Sequence, residues 1–285
     1  MHFVKAHGTG NDFVLLPDLE DRLDLTPRLV QALCAPHLGL GGDGVIRLGG
    51  GHKHDGDNAT EFDVFMDYRN ADGSVVEMCG NGVRCVAKYV LDRGIVTGDI
   101  CRVGTRAGVK VVQATRESDG RVSVMRVDMG APVPGNVAQP LEFVVGDQTI
   151  TATATTLSMG NPHAVLIVDD VAAAPVTTWG PVIEQHAAFP QGTNVEFIAV
   201  DQPDRLVGRI WERGVGETLA SGTGASAMAV AAHLLGLAGR DVVVSLPGGE
   251  LAVEWADETL FVSGPAVEVA EGELSPAWLA AVGAA

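Results

Sequence analysis

The sequence predicts an α/β (α+β) protein built from two similar domains related by a pseudo-two-fold, each a curved mixed sheet wrapped round a central helix. Three observations point there. Short β-branched or alternating runs recur along most of the 285 residues, and two segments break that rhythm with helical spacing. Each of those two segments opens on a near copy of one Gly-rich turn: MCGNGVRC at 78–85 and ASGTGASA at 220–227. From Cys79 to Ser221 is 142 residues, half the chain.

In the first half HFVKAH, DFVLL, GVIRL, FDVFMDY, VKVVQAT and VSVMRVDM read as strands, most of them bounded by Gly, Asp or Pro. Residues 83–91 place Val83, Val86, Ala87, Val90 and Leu91 on one helical face, with Gly94 as a stop. In the second half AVLIV, NVEFIAV, RLVGRIWE, DVVVSL, LAVEWA and LFVSG read as strands. Residues 224–235 are apolar almost all round, which suits a helix enclosed by a sheet. A second echo sets HGTGNDFVLL (7–16) against MGNPHAVLIV (159–168), aligning Asn11 with Asn161. The expected domains are 1–124, joined by 266–285, and 125–265.

Composition narrows the function. Hydrophobic residues at 46% describe a globular chain, and aromatics at 5% leave the core to Val, Leu and Ala. The net charge of −17, from 36 acidic and 19 basic residues, argues against nucleic acid or an anionic membrane as partner. A small anionic substrate would need a local site of amides or an Arg. The start MHFVKAHGTGND has no apolar signal-like core, and the run 225–238 is broken by His233 and Gly236. Cys34, Cys79, Cys85 and Cys101 lack a disulfide framework or CxxC spacing, so a cytoplasmic, reduced protein is expected.

A Gly-rich turn opening a helix offers backbone N–H groups and the positive end of the helix dipole, a cradle for carboxylate or phosphate. A cysteine there is acidified from about 8.5 toward roughly 3.5–7.5. Two such turns across one cleft would let a carbon lose a proton on one side and gain one on the other, which is stereoinversion. Either turn alone reads as packing; the pair at half-chain spacing reads as a site.

Ten ordered blocks carry a resemblance over nearly the whole chain: HGTGNDF (7–13), LGLGGDG (38–44), NADGSVVEMCGNGVRC (70–85), VDMG (127–130), MGNPH (159–163), TNVEF (193–197), ERGVGET (212–218), SGTGASA (221–227), LPGG (246–249) and GPAVEV (264–269). The sequence resembles the diaminopimelate epimerases, cofactor-independent amino-acid epimerases. The resemblance implies two similar domains with the active site between them. It implies interconversion of LL- and meso-2,6-diaminoheptanedioate for lysine and peptidoglycan precursors, with no metal or organic cofactor and a homodimer. It makes Cys79 one acid/base thiol and puts Ser221 where the other belongs. Amides of Gly80, Asn81, Gly222 and Thr223 would hold the reacting carboxylate, and Glu212 and Asn11 the reacting ammonium. Asn70, Asn161, Asn194 and Arg213 would read the far amino-acid end, the Arg as a bidentate fork. His163 would tune the site or be a satisfied core histidine. Position 44 is Gly where one branch of the family has Gln. Bland readings stay open singly: Asn161 and Asn70 as turn residues, Glu212 and Arg213 as a surface pair.

Other signals are weaker. GLGGDG (39–44) matches a dinucleotide fingerprint, but a strand-like run follows where a helix is needed. HKHD (52–55) sits in a polar Gly-rich stretch without the spacing of a zinc site. None of the four lysines has a pyridoxal-phosphate context. Serine at 221 cannot be a conjugate base at neutral pH and donates a proton poorly. Three readings follow: an epimerase in which serine has replaced the second thiol, a one-thiol relative acting as racemase or dehydratase on another amino acid, or an amino-acid-binding protein without turnover.

Overall fold

The computed structural model describes residues 1–51 and 62–283; the HKHD stretch lies outside them. The chain divides into two compact units, Met1–Val127 with Gly264–Ala285, and Asp128–Ser263.

The first unit contains β1 (His2–Gly8), β2 (Asn11–Asp18), α1 (Pro27–Cys34), β3 (Gly44–Gly50), β4 (Val64–Asn70), β5 (Val75–Val76), α2 (Gly80–Asp92), β6 (Ile100–Thr105) and β7 (Gly108–Arg116). Strand β8 (Val122–Gly130) crosses the unit boundary. The second unit continues with β9 (Val133–Pro134), β10 (Gln139–Val145), β11 (Gln148–Ser158), β12 (Pro162–Ile167), α3 (Val176–Glu184), β13 (Asn194–Gln202) and β14 (Arg205–Glu212). It ends with β15 (Gly216–Thr218), α4 (Gly222–Leu234), β16 (Asp241–Leu246), β17 (Gly249–Ala256) and β18 (Thr259–Gly264). The chain then returns to the first unit as β19 (Val267–Glu273) and α5 (Pro276–Val282).

One topology serves both units. In the first, β19, β1 and β2 pair antiparallel, β2 and β3 parallel, β3 and β4 antiparallel, β4 and β6 parallel, and β6, β7 and β8 antiparallel. In the second, β10 to β12, β13, β14, β16, β17 and β18 follow the same sequence of directions. A parallel step needs a crossover. Helices α1 and α3 make the first crossover in each unit, and α2 and α4 the second.

The register makes the repeat exact to the residue. Phe13 faces Gly44 at the head of the first parallel ladder, and His163 faces Asn194 at the head of the second. It follows that Phe13 corresponds to His163, and Ile46, opposite Leu15, corresponds to Glu196, opposite Val165. On the next strands Tyr68 opposes Ile46 and Ile210 opposes Glu196, so Asn70 corresponds to Glu212.

Helix α2 packs against β1, β2, β4, β6, β7 and β19, and α4 against β11 to β14, β16 and β17. Each is enclosed, which is why 224–235 has no polar face: Ala225 to Ala232 are all buried. Gly94 and Gly236 end the two helices in the left-handed region, at φ 65° and 71°, where a side chain would strain the backbone. The other sheet face of the first unit carries α1 and α5, with Leu29, Leu33 and Leu279 packing on Val14, Leu16 and Val45. Strand β2 is thus buried on both faces, and DFVLL is a continuous apolar run rather than an alternating one.

Three helices, α1, α3 and α5, were not among the two predicted. They span eight, nine and seven residues, too short for a helical period to build up. The signal at α1 was capping: Thr26 Oγ1 accepts from Leu29 N at 3.3 Å, with Pro27 at the first helical position.

Candidate active site

Cys79 and Ser221 are the N-cap residues of α2 and α4, with φ/ψ of −140°/119° and −138°/129°. The first helical bonds, Val83 N to Cys79 O and Ala225 N to Ser221 O, are both 2.9 Å. The helix ends therefore present the amides of Gly80 and Asn81, and of Gly222 and Thr223, in matched positive environments. The next glycine lets each helix start lie on the sheet. A Cβ on Gly82 would stand 2.9 Å from Ile46 Cδ1, and one on Gly224 2.6 Å from Ile210 Cδ1 and 3.4 Å from Glu196 Oε1.

In the first unit Cys79 is half-buried, with Sγ 3.6 Å from Asn11 Oδ1. The same oxygen accepts from Asn81 Nδ2 at 3.1 Å, and Asn11 Nδ2 donates to Asp43 Oδ2 at 2.6 Å. Asp43 thereby fixes which end of the Asn11 amide meets the thiol. The other three cysteines are buried, and burial raises their thiols, Cys34 to about 11 and Cys85 and Cys101 to about 12. Asn70 accepts from Tyr68 Oη at 3.0 Å, while Asp72 Oδ1 accepts from Ser74 N at 2.8 Å in the turn that follows.

In the second unit a hydrogen-bonded chain reaches Ser221. Glu196, with no exposed surface, meets His163 Nδ1 at 2.6 Å. His163 Nε2 is 3.0 Å from Asn161 Oδ1, Asn161 Nδ2 donates to Thr223 Oγ1 at 3.4 Å, and Thr223 Oγ1 is 3.3 Å from Ser221 Oγ. The Asn161 oxygen only accepts, so Nε2 carries a hydrogen and Nδ1 shares one with Glu196. Burial raises the Glu196 carboxyl, against the pull of His163. Glu212 is half-buried and is also raised, first by burial, with hydrogen bonds from Thr218 (2.5 Å) and Ser221 lowering it. Ser221 Oγ in turn accepts from Gly224 N at 3.2 Å, a helix cap, whereas the Cys79 side chain makes no capping bond.

Two predicted residues stand apart from this cluster in their bonding. Asn194 uses both ends of its amide on backbone, Nδ2 to Pro162 O at 2.9 Å and Oδ1 from Arg213 N at 3.0 Å. Arg213 is exposed, with Nη1 donating to Gln191 O at 3.1 Å. Glu212 is no surface residue, so it and Arg213 do not form a surface pair. Sequence reasoning gave no role to Glu196, Arg84, Asp43 or Thr218. Glu196 lay within the TNVEF block, and its signal was a carboxyl inside an apolar strand run. The segment after GLGGDG is strand β3, as its pattern suggested. Among the described residues no group of three or more His, Cys, Asp or Glu is arranged to hold a metal, and no helix is long and apolar enough to cross a membrane.

Two α+β units of one topology, each with a helix entering its sheet at a Gly-rich turn, form the fold also seen in a probable proline racemase from Agrobacterium radiobacter. That structure superimposes with a TM-score of 0.72 at 16% identity, covering 96% of this chain and 93% of its own. The model of the diaminopimelate epimerase family matches residues 3–134 and 155–273. Diaminopimelate epimerases of Pelotomaculum thermopropionicum and Heliobacterium modesticaldum are 45% and 46% identical, over 96% of this chain and 98% and 99% of theirs. The chain belongs to the diaminopimelate epimerase family.

Proposed function

We propose that this chain interconverts LL- and meso-2,6-diaminoheptanedioate by moving the proton on one α-carbon, using its own side chains and no organic cofactor. The observation that carries the reading is the pair of matched helix N-termini, capped by Cys79 and Ser221, in a chain whose relatives are diaminopimelate epimerases. The Cys79 thiolate takes the α-proton and becomes a thiol, leaving a carbanion delocalised into the substrate carboxylate. Amides of Gly80, Asn81, Gly222 and Thr223 stabilise the growing negative charge, as preorganised donors do best. Inversion requires a proton from the opposite face, the task of the group at 221. Return of a proton by Cys79 itself gives retention.

The polar groups beside the turns fit the remaining roles. Asn11 and Glu212 address the reacting ammonium, and Asn70, Asn161 and Arg213 the distant amino-acid end. Asn194 serves that end by holding the Arg213 backbone. His163, fixed between Glu196 and Asn161, orients Thr223 and the residue at 221. We place the activity in a reducing cytoplasm, the compartment that cysteines without disulfide or CxxC spacing suit.

Serine at 221 favours one second reading, a one-thiol relative acting on another amino acid. LL- and meso-substrate, incubated separately in deuterated buffer, separate the two when the α-proton is followed by NMR and configuration by chiral chromatography. Solvent exchange into one diaminopimelate isomer with slow inversion supports the epimerase reading. Calorimetry with lysine and glutamate completes the test, because a site built for polar groups rejects analogues lacking them by roughly 10⁴–10⁵. Equal affinity for all three amino acids would favour the second reading.

A further inference from the structure

Arg84, one turn into α2, is only 1% exposed and is among the largest fully buried side chains. Its Nε donates to Pro265 O at 3.2 Å, and its Nη2 to Thr9 Oγ1 at 3.0 Å and Asn81 Oδ1 at 2.8 Å. All three acceptors are neutral, and among the described residues no carboxylate pairs with it. Gly8 makes room for it: a Cβ there would lie 3.1 Å from Nη2. A buried guanidinium without an anion is a poor device for stability, since apolar side chains of similar volume serve as well or better.

The anion it can balance is a thiolate. Cys85 is its neighbour in sequence, and Asn81, which accepts from Nη2, donates through Nδ2 at 3.1 Å to Asn11 Oδ1, 3.6 Å from Cys79 Sγ. Cys85 is fully buried and pushed up to about 12 by that burial, which leaves Cys79 at the helix mouth.

The second unit is built the opposite way. The residue 142 positions after Arg84 is Ser226, whose Oγ donates to Gly222 O at 2.8 Å within the helix. Where the first unit has Phe13, Ile46 and Asn70, the second has His163, Glu196 and Glu212. One helix mouth is backed by a buried cation whose hydrogen-bond acceptors are neutral, the other by two carboxyls and an imidazole.

We propose that Arg84 is a positioning residue for the reaction: its buried charge, delivered through α2, makes Cys79 the resting thiolate and so the base. This rests on the epimerase reading above and deepens it. The thiol proton passes to solvent in the empty enzyme, and the α-proton replaces it on turnover. Other ionisable groups on the surrounding elements are largely paired or opposed. Asp43, bound to Asn11, opposes the thiolate. Asp12 pairs with Lys5, Glu268 with Arg93, Asp92 with Lys88, and Asp67 with Arg69 and Arg106. His7 Nδ1 accepts from Gly10 N, and Arg102 and Lys110 lie on β6 and β7.

The test is the rate of Cys79 alkylation by iodoacetamide against pH, read by peptide mapping, in wild type, Arg84→Met, Arg84→Gln and Arg84→Lys. The expected wild-type midpoint lies below the roughly 8.5 of free cysteine. The neutral variants should raise it by about one pH unit or more, lowering the rate at pH 7 about threefold or more with the high-pH plateau unchanged. Arg84→Lys should stay near wild type. A wild-type midpoint at or above free cysteine overturns the proposal with no variant needed, and so does an unmoved midpoint in a neutral variant with native circular dichroism. If neither neutral variant folds, a free-cysteine midpoint in Arg84→Lys overturns it. Alkylation needs no turnover, so failure of the epimerase reading shows separately, as absent solvent exchange beside a low Cys79 midpoint.

Discussion

Replacing Ser221 with cysteine should exchange stability for catalysis, and both sides of that exchange can be sized. The Ser221 hydroxyl accepts from Gly224 N at 3.2 Å and lies 3.3 Å from Thr223 Oγ1. Sulfur is a weak acceptor, so Ser221→Cys gives up most of a helix cap, a loss of roughly 0.5–2 kcal/mol. For a chain of this size that lowers Tm by a few degrees, at about 2–4 °C per kcal/mol. The gain is a second positioned acid/base group, which contributes about 10²–10⁴ in rate, or about 2.7–5.4 kcal/mol of barrier. Differential scanning calorimetry gives the first quantity. Inversion of LL-diaminopimelate, followed by chiral chromatography beside deuterium uptake, gives the second. In the serine form one isomer should exchange its α-proton far faster than it inverts; in the cysteine form both should exchange. Fast inversion with Ser221 in place would refute the reasoning, because some other group would then be supplying the second proton.

Arg213→Ala should weaken diaminopimelate binding about 10- to 100-fold, the loss of a charge-assisted pair worth roughly 1.5–3 kcal/mol, and should leave lysine binding unchanged in calorimetry. Equal losses for both ligands would mean that the guanidinium is not reading the far carboxylate. Burial raises the Glu212 carboxyl, so that group contributes stability fully present below the ordinary glutamate value of roughly 4.3 and lost as pH rises through its raised value. Glu212→Gln should therefore flatten the decline of urea-unfolding free energy as pH rises above the ordinary glutamate value, and an unchanged slope would contradict that assignment. Gly224→Ala sets a Cβ 2.6 Å from Ile210 Cδ1 and 3.2 Å from Ser221 Cβ, and overpacking there should cost roughly 1–3 kcal/mol. Substrate affinity should fall with it as the turn lifts; retained affinity would count against the amide cradle.

The sequence made the repeat visible because its two copies keep the residues whose backbone geometry cannot be met otherwise. The glycines of CGNG and SGTG, and Gly94 with Gly236, stand at a close helix–sheet approach or a left-handed cap. Strands β10 and β11 carry a weak sequence signal: β10 opens on Gln and Pro and is mostly exposed or half-buried, and in β11 Thr and Ala alternate with little hydrophobic contrast over an exposed or half-buried first half. The Gly-turn residues were legible from the same motifs. Arg84 and Glu196 were not singled out, although each stood inside a quoted block. A charge within an apolar run gains meaning only when the fold shows that nothing solvates it. Register supplied that information: only the parallel ladders β2–β3 and β12–β13 bring Phe13 into line with His163 and Ile46 with Glu196.

The substitutions between the two copies are confined in a telling way. Positions that shape the helix mouth, Cys79 with Ser221 and Gly82 with Gly224, keep the same backbone course, and the cap dihedrals differ by 10° or less. Positions that line it have changed electrical character at four places: Phe13 to His163, Ile46 to Glu196, Asn70 to Glu212 and Arg84 to Ser226. A fold duplicated for packing alone has no reason to concentrate buried charge beneath its two turns, since each buried ionisable group costs desolvation. An epimerase does have one. Moving a proton from one face of a carbon to the other needs two groups that hold their protons differently, and like helix mouths over unlike buried charges are built for that difference.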